Sequence, residues 1–177
     1  MLVLYGTGEG QTAAVADRLG AVLAGRGHDV RTVDVDDGAP DPASFDAVVV
    51  GASVHAGRHQ PAVREWVSEH SDTLAALPTA VFQVSLSSAT EGGRERAAGY
   101  LESFLEDTGW HPDRIGLFGG ALRYSEYGFL ERLVMRRIAA RALPESPRED
   151  TEFTDWEEVA AFGDDVGAFV ERRLGER

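Results

Sequence analysis

The amino-acid sequence predicts an α/β fold in which a parallel sheet is covered by helices on both faces. Runs of apolar and β-branched residues recur at 2–5, 30–35, 47–52, 79–84 and 115–121. Most of the stretches between these runs carry apolar residues at helical spacing. A nearly continuous apolar run such as AVVVGAS is typical of a strand that is buried on both faces. Strands that alternate with helices in this way indicate parallel pairing.

We expect one domain over residues 1–177, because a chain of this length with 43% hydrophobic residues can bury one core of ordinary size. The predicted order is strand 2–5, helix 12–23, strand 30–35, strand 47–52, helix 62–70, strand 79–84, helix 94–105, strand 115–121 and helix 154–170. Each of the first three helices has apolar residues on one face. These residues are Ala13, Ala16, Leu19 and Leu23, then Val63, Trp66 and Val67, then Tyr100, Leu101 and Phe104. The last helix begins after Thr154 or Asp155 as its N-cap, with acidic residues in its first turn.

Residues 122–152 interrupt this alternation and are predicted to form an inserted helical segment. A connection of this length inside a compact domain is usually functional or disordered. The stretch GFLERLVMRRIAARAL, at 128–143, has apolar residues along one broad arc of a helix. Its charged residues are Arg132, Arg136, Arg137 and Arg141 against Glu131. From the residues alone, this cationic helix either packs on the sheet edge with paired arginines or binds an anionic ligand or surface.

Composition excludes several classes of function. The chain has no cysteine, which excludes disulfides, thiolate metal sites, iron–sulfur clusters and a cysteine nucleophile. We predict no metal site, and redox chemistry would need a bound organic cofactor. A net charge of −13 disfavours nonspecific nucleic-acid binding, and all 17 basic residues are arginine. No apolar run is long enough to span a membrane and no signal peptide is evident, so we expect a cytoplasmic protein.

The glycine-rich stretch GTGEGQT, at 6–12, lies between the first strand and the first helix and predicts an anion-binding loop. A nucleotide triphosphatase loop would need lysine after its last glycine, where this chain has Gln11. The dinucleotide motif GxGxxG also fails at Gln11, although Asp34 stands where that motif would place a ribose ligand. Three interpretations stay open: a dinucleotide site that uses Asp34, a turn without a ligand, and a site for a terminal phosphate monoester such as that of FMN.

A phosphate in this loop would be held by backbone N–H groups, by the hydroxyls of Thr7 and Thr12 and by the amide of Gln11. Glu9 is expected to contribute through its backbone only, because its carboxylate would repel a dianion. The predicted phosphate-binding residues are Thr7, Gly8, Glu9, Gly10, Gln11 and Thr12.

The stretch YGTGEGQT and the alternation of strands and helices resemble flavodoxin-like proteins. This resemblance implies a doubly wound, five-stranded parallel sheet of order 2-1-3-4-5 with FMN as cofactor. It implies that two further loops hold the isoalloxazine, ASVHAGRH at 52–59 and SLSSATEGG at 85–93. The cofactor-binding candidates in them are Ala52, Ser53, Val54, His55, Gly57, Ser85, Leu86, Ser87 and Ser88. Neither loop contains an aromatic ring other than histidine, which would leave one flavin face open to a substrate.

Three longer stretches closely resemble the flavodoxin-type, menaquinone-dependent protoporphyrinogen oxidase family. They are GASVHAGRHQPAVREWVSEH, FGGALRYSEYGFLERLVMRRIA and TDWEEVAAF. The resemblance implies FMN-dependent oxidation of protoporphyrinogen IX to protoporphyrin IX in heme biosynthesis, with electrons passed to a respiratory quinone. Under this interpretation the predicted substrate-binding residues are Arg123, Tyr124, Tyr127 and Arg137, and the candidate bases are His55 and His59.

The cationic helix would then contact the porphyrinogen, or anionic lipid at the inner face of the cell membrane through residues 128–143. Arg58, with the two histidines, would supply positive charge near the flavin or bind an acidic substrate. Two other functions stay open: a flavodoxin-type electron carrier whose arginine helix docks an acidic protein, and an FMN-dependent quinone reductase.

Overall fold

The computed structural model describes residues 1–55, 57–125, 129–143 and 149–176, and only the backbone of 129–131 and 142. The strands are β1 (Leu2–Gly6), β2 (Arg31–Asp34), β3 (Val48–His55), β4 (Arg58–His59), β5 (Thr79–Ser85), β6 (Arg114–Gly119), β7 (Ala121–Leu122) and β8 (Thr151–Glu152). The helices are α1 (Gln11–Gly25), α2 (Pro61–Glu69), α3 (Ser71–Ala75), α4 (Glu91–Thr108), α5 (Phe129–Ala142) and α6 (Trp156–Gly175).

Five strands form a parallel sheet in the spatial order β2-β1-β3-β5-β6. Counted over these five strands, the order is 2-1-3-4-5, so the predicted fold class is confirmed. The central strands β1, β3 and β5 are largely buried, and their alternate residues enter two different hydrophobic clusters. Val3 and Val49 pack with helices α1 and α6, whereas Leu4 and Val50 pack with α2 and α4. The sheet is therefore covered on both faces.

The third strand is longer than predicted because it continues into a hairpin. Residues Val54 and His55 pair antiparallel with His59 and Arg58 of β4. Gly57 lies in the turn with φ of 80°, a conformation that glycine adopts without strain. The stretch at 52–59, which we expected to be a loop, is thus largely a two-stranded antiparallel ribbon.

The predicted strand at 115–121 is interrupted after Gly119. At Gly119 a Cβ atom would lie 2.3 Å from the carbonyl oxygen of Phe153, so only glycine allows the returning chain to approach this closely. The chain resumes as β7, which pairs with β8 as a separate antiparallel ribbon. Asp155 is the N-cap of α6, accepting hydrogen bonds from the N–H groups of Glu157 and Glu158 at 2.9 and 3.1 Å.

Helix α5 lies in the chain between β7 and β8, the two strands of the antiparallel ribbon. Its Met135 and Ala139 pack into a third hydrophobic cluster with Leu122, Tyr124 and Leu143. This cluster places α5 over the carboxyl edge of the sheet. None of the described helices is both long and apolar enough to cross a membrane.

Candidate functional site: a cleft at the carboxyl edge of the sheet

A cleft of about 580 Å³ opens at the carboxyl ends of β1, β3 and β5. Its walls are the loop after β1, the β3–β4 hairpin, the turn after β5, and side chains of α4 and α5. Strands β1 and β3 are neighbours whose connections leave toward opposite sides of the sheet, and such a switch point is where α/β proteins bind ligands. The volume falls within the range of roughly 300–1,000 Å³ typical of small-molecule sites.

The first wall is the loop that joins β1 to α1. Gly10 precedes the helix with φ of 83°, and no side chain caps the N-terminus of α1. The hydroxyl oxygen of Thr7 accepts a hydrogen bond from the N–H of Gly10 at 2.9 Å, which closes the loop. An uncapped helix N-terminus beside Thr7, Gly8 and Thr12 is a suitable anion site, because its N–H groups and helix dipole attract negative charge.

The side chain of Gln11 joins this loop to the inserted segment. Its Nε2 atom donates hydrogen bonds to Thr154 Oγ1 at 2.8 Å and to Glu152 Oε1 at 3.1 Å. Its Oε1 atom accepts a hydrogen bond from Arg123 at 3.2 Å. The amide hydrogens that we expected to bind phosphate are therefore used to hold the end of the insertion. The remaining contribution of Gln11 to an anion site is its backbone N–H.

The hairpin and the turn after β5 supply two further walls. Ser53, Val54, His55, Gly57 and Arg58 line the cleft from the hairpin. From the turn, the lining residues are Ser85, Leu86 and Ser87. The turn is rigid because the Ser85 hydroxyl oxygen accepts a hydrogen bond from the Ser88 N–H at 3.1 Å and contacts the Ser88 hydroxyl at 2.8 Å. Of the predicted cofactor residues, only Gly10, Ala52 and Ser88 are not on the cleft surface; the latter two are buried.

His55 is the candidate base that lies on the cleft wall. Its side chain is exposed, and its Nε2 atom is 4.0 Å from a carboxylate oxygen of Glu9. We expected the side chain of Glu9 to point away from the site. Instead, Glu9 lines the cleft and its carboxylate lies near His55.

His59, the second candidate base, does not line the cleft. Its Nε2 atom is buried, and its ring lies 4.7 Å from the ring of Phe104. Burial lowers the pKa of His59 to about 4, against a smaller opposing effect of the Gln83 side chain. The pairing of β4 with β3 turns this residue inward, so a role in proton transfer to a ligand in the cleft is not supported.

The buried imidazole predicts a pH dependence of stability. Between pH 6.5 and about 4 the unfolded chain binds a proton at His59 that the folded protein does not bind. The unfolding free energy should therefore fall as the pH drops through this range, by about 3 kcal/mol from this residue. Chemical denaturation at several pH values should show a shallower decline for His59→Gln than for the unsubstituted protein. Replacement of the exposed His111 by glutamine should leave the decline unchanged, and equal slopes for all three proteins would contradict the prediction.

The fourth wall comes from α4 and α5, and of these two helices only α5 was expected to contact a ligand. Arg96 and Tyr100 lie one turn apart on α4, and Met135, Ile138 and Arg141 recur every third residue on α5. The spacing of the α5 residues was visible in the sequence. Which face of the helix would turn toward the cleft depends on how the insertion folds back.

The residues predicted to bind substrate are placed differently. Arg123 contacts Gln11 and lies near Asp150, whose pKa is lowered by hydrogen bonds from Ser125 and by the charge of Arg123. Tyr124 is buried in the third hydrophobic cluster, since its aromatic ring fills the space beneath α5. Arg137 is exposed on α5 and is not on the cleft wall. Tyr127 lies outside the described residues.

The fold and the cleft can be compared with known proteins. A family profile described as a flavodoxin domain matches residues 2–146. The chain belongs to the flavodoxin domain family. A relative in this family, the protoporphyrinogen IX dehydrogenase (quinone) of Escherichia coli strain K12, is 30% identical over 174 residues, covering 97% of this chain and 96% of that protein. A Leishmania major protein of the same name is 31% identical over 172 residues, covering 94% of this chain and 74% of that protein.

Solved structures of the flavodoxin family share the fold. A Fusobacterium nucleatum flavodoxin bound to flavin mononucleotide superposes with a TM-score of 0.53 at 10% sequence identity, covering 97% of this chain and 96% of that one. At this level of identity the likeness concerns the fold alone. Together, the family profile and the relatives confirm the predicted membership of the flavodoxin family and the relation to the protoporphyrinogen-oxidising enzymes.

Proposed function

We propose that this flavodoxin-family protein is an FMN-dependent enzyme that oxidises protoporphyrinogen IX to protoporphyrin IX and delivers the electrons to a quinone. The observation that carries the proposal is the wall formed by α5, which covers a flavodoxin-type cleft with apolar and cationic side chains. The name of the E. coli relative, which covers nearly the whole chain, supports the choice of substrate and acceptor.

The residues of the cleft fit FMN. The uncapped N-terminus of α1, with Thr7 and Thr12, is suited to the phosphate. A side chain at Gly8 would meet no atom within 4 Å, so the loop leaves space above its backbone. The hairpin residues that line the cleft and the turn at 85–87 would hold the ring system. When bound, FMN supplies the two-electron chemistry that the side chains of this protein lack.

The protein itself contributes orientation and the exclusion of water. Met135 and Ile138 face the cleft from α5 and provide an apolar surface opposite the hairpin. A substrate between these walls would be separated from bulk water, which strengthens electrostatic interactions inside the site. His55, beside Glu9, is positioned to accept a proton from the substrate.

Anaerobic addition of protoporphyrinogen IX to the FMN-loaded protein tests this proposal. We expect loss of the visible flavin absorbance together with the appearance of porphyrin fluorescence. If FMN binds but remains oxidised, the cleft serves an electron carrier or another reductase, and the proposed substrate is wrong. A carrier would instead exchange electrons with a reductase or ferredoxin, which can be added to the same sample.

The outer face of α5 is proposed to contact anionic lipid, where a quinone acceptor dissolves. Leu133 and Val134 are each 58% exposed there, and Arg136 and Arg137 are exposed beside them. Exposed apolar residues with arginines are unusual on a protein of net charge −13, and this combination favours an anionic bilayer surface.

Flotation with lipid vesicles checks this surface. The protein should float with vesicles containing phosphatidylglycerol and not with purely zwitterionic vesicles. Replacing both Leu133 and Val134 by serine should reduce the bound fraction several-fold, because about 0.8 kcal/mol is lost per CH₂ group removed from the bilayer. Exposed Arg64, on α2, provides a matched control as Arg64→Gln. If all variants float equally, or if the unsubstituted protein does not float with anionic vesicles, the outer face of α5 is not a lipid-binding surface.

A further inference from the structure

Two arginines from different helices meet at the rim of the cleft. Nη1 of Arg96, on α4, donates a hydrogen bond to the main-chain carbonyl oxygen of Arg141 at 3.3 Å. Both residues line the cleft, and Arg141 lies in the last turn of α5. The contact holds the end of α5 against α4. Both residues therefore lie on the same side of the cleft.

Neither of the two arginines forms an ion pair with a carboxylate among the described side chains. Elsewhere Arg26, Arg64, Arg94 and Arg114 each pair with an aspartate or glutamate within 3.5 Å. The chain has 30 acidic residues against 17 arginines, so partners are abundant. Arginines on the wall of a cleft without such a partner are available to bind an anionic ligand, since guanidinium groups bind carboxylates in bidentate geometry.

The anion site that these arginines form is separate from the loop after β1. Arg96 and Arg141 belong to α4 and α5, whereas the phosphate site is formed by the N-terminus of α1. Tyr100, Met135 and Ile138 line the same cleft and come from the same two helices as the arginines. This arrangement is suited to a ligand with a flat apolar body and carboxylates at its edge.

We propose that Arg96 and Arg141 bind the propionate carboxylates of the porphyrinogen and determine the preference of the enzyme for a dicarboxylic substrate. The inference rests on the proposed function. It assigns to these two residues the role that the sequence suggested for Arg123 and Arg137.

Equilibrium binding of protoporphyrin IX and of its dimethyl ester to the FMN-loaded protein, followed by porphyrin fluorescence, tests the assignment. The ester has the same ring system but no carboxylates. We expect the unsubstituted protein to prefer the free acid. Arg96→Gln and Arg141→Gln should each weaken binding of the acid roughly tenfold and change binding of the ester by less than about twofold. Arg173→Gln, at an exposed position of α6 outside the cleft, should change neither.

Arg141→Gln separates binding from support of the helix, because the hydrogen bond from Arg96 goes to the main chain of residue 141 and survives this substitution. Equal loss of acid and ester binding in Arg141→Gln, or no preference for the acid in the unsubstituted protein, would overturn the assignment and leave porphyrin as the ligand. If neither porphyrin binds the unsubstituted protein, the proposed substrate itself is wrong and the assignment falls with it.

Discussion

Replacing Gly8 by aspartate should weaken FMN binding about 100-fold and leave the fold intact. The new side chain would enter open space, and the backbone at Gly8 is not in the left-handed region, so the substitution introduces no strain. Its carboxylate would lie beside the phosphate at the N-terminus of α1. Two like charges about 5 Å apart at an effective dielectric of about 20 repel by roughly 3 kcal/mol, which corresponds to the expected loss.

The affinities are measured by flavin fluorescence quenching, and the control variant is Gly8→Asn, which has nearly the same shape without the charge. Riboflavin, which lacks the phosphate, is the second control. Gly8→Asp should bind riboflavin as the unsubstituted protein does. If Gly8→Asn loses as much FMN affinity as Gly8→Asp, or if riboflavin binding falls equally, then the loop after β1 does not bind the phosphate.

Replacing Gly119 by alanine should destabilise the protein by about 2–3 kcal/mol, because the added methyl group would overlap the main chain of Phe153. Main chain cannot rotate aside, unlike the end of a flexible side chain. Thermal unfolding should accordingly occur about 5–10 °C lower. The overlap would lie beside two hydrogen bonds of Thr154. Its hydroxyl donates to the Gly119 carbonyl oxygen at 2.7 Å and accepts a hydrogen bond from Gln11.

Gly99→Ala is the matched control, since a Cβ atom there would meet nothing within 4 Å and Gly99 lies inside α4. This substitution should stabilise the protein by about 0.5–1 kcal/mol. Hydrogen exchange should also accelerate at the β7–β8 ribbon in Gly119→Ala and not in Gly99→Ala. If Gly119→Ala and Gly99→Ala change the free energy of unfolding in the same direction, the close approach of Phe153 to Gly119 is contradicted.

The order of the sheet was predictable because it depends on local patterns. Each parallel strand is an apolar run, and each covering helix has one apolar face, so burial on two sides follows from the sequence without knowledge of distant contacts. The glycine-rich loop was equally visible, since the turn and the start of α1 are encoded within a few residues. The role of this loop in binding FMN remains a prediction.

Which residues of α4 and α5 form the fourth wall of the cleft was not predictable, because their placement depends on contacts between distant segments. The position of α5 follows from the hydrogen bonds of Gln11 with Glu152 and from the third hydrophobic cluster, neither of which is apparent from spacing. Sequence reasoning therefore selected Arg123 and Arg137 near the family motif. The structure instead brings Arg96 and Arg141 to the cleft.

His59 shows the same limit of local patterns for a polar residue. In the sequence it stands in a loop-like stretch beside His55, and both appeared available for proton transfer. The hairpin pairing of β4 with β3 sends the two side chains to different environments, one exposed on the cleft and one packed against Phe104. A difference of this kind depends on strand register, because a shift of one residue in the pairing turns every side chain of a strand to the opposite face.

Anaerobic turnover of protoporphyrinogen IX with a soluble naphthoquinone, followed by porphyrin fluorescence, tests the central claim most directly. If the proposed function is right, porphyrin forms in amounts that exceed the amount of protein when FMN and quinone are both present. Without FMN none should form beyond the uncatalysed background. Without quinone, no more than one porphyrin per three FMN-loaded molecules should form, because porphyrin formation removes six electrons and each FMN accepts two. If FMN-loaded protein produces no porphyrin above background in the complete mixture, the proposed oxidation of protoporphyrinogen IX is wrong.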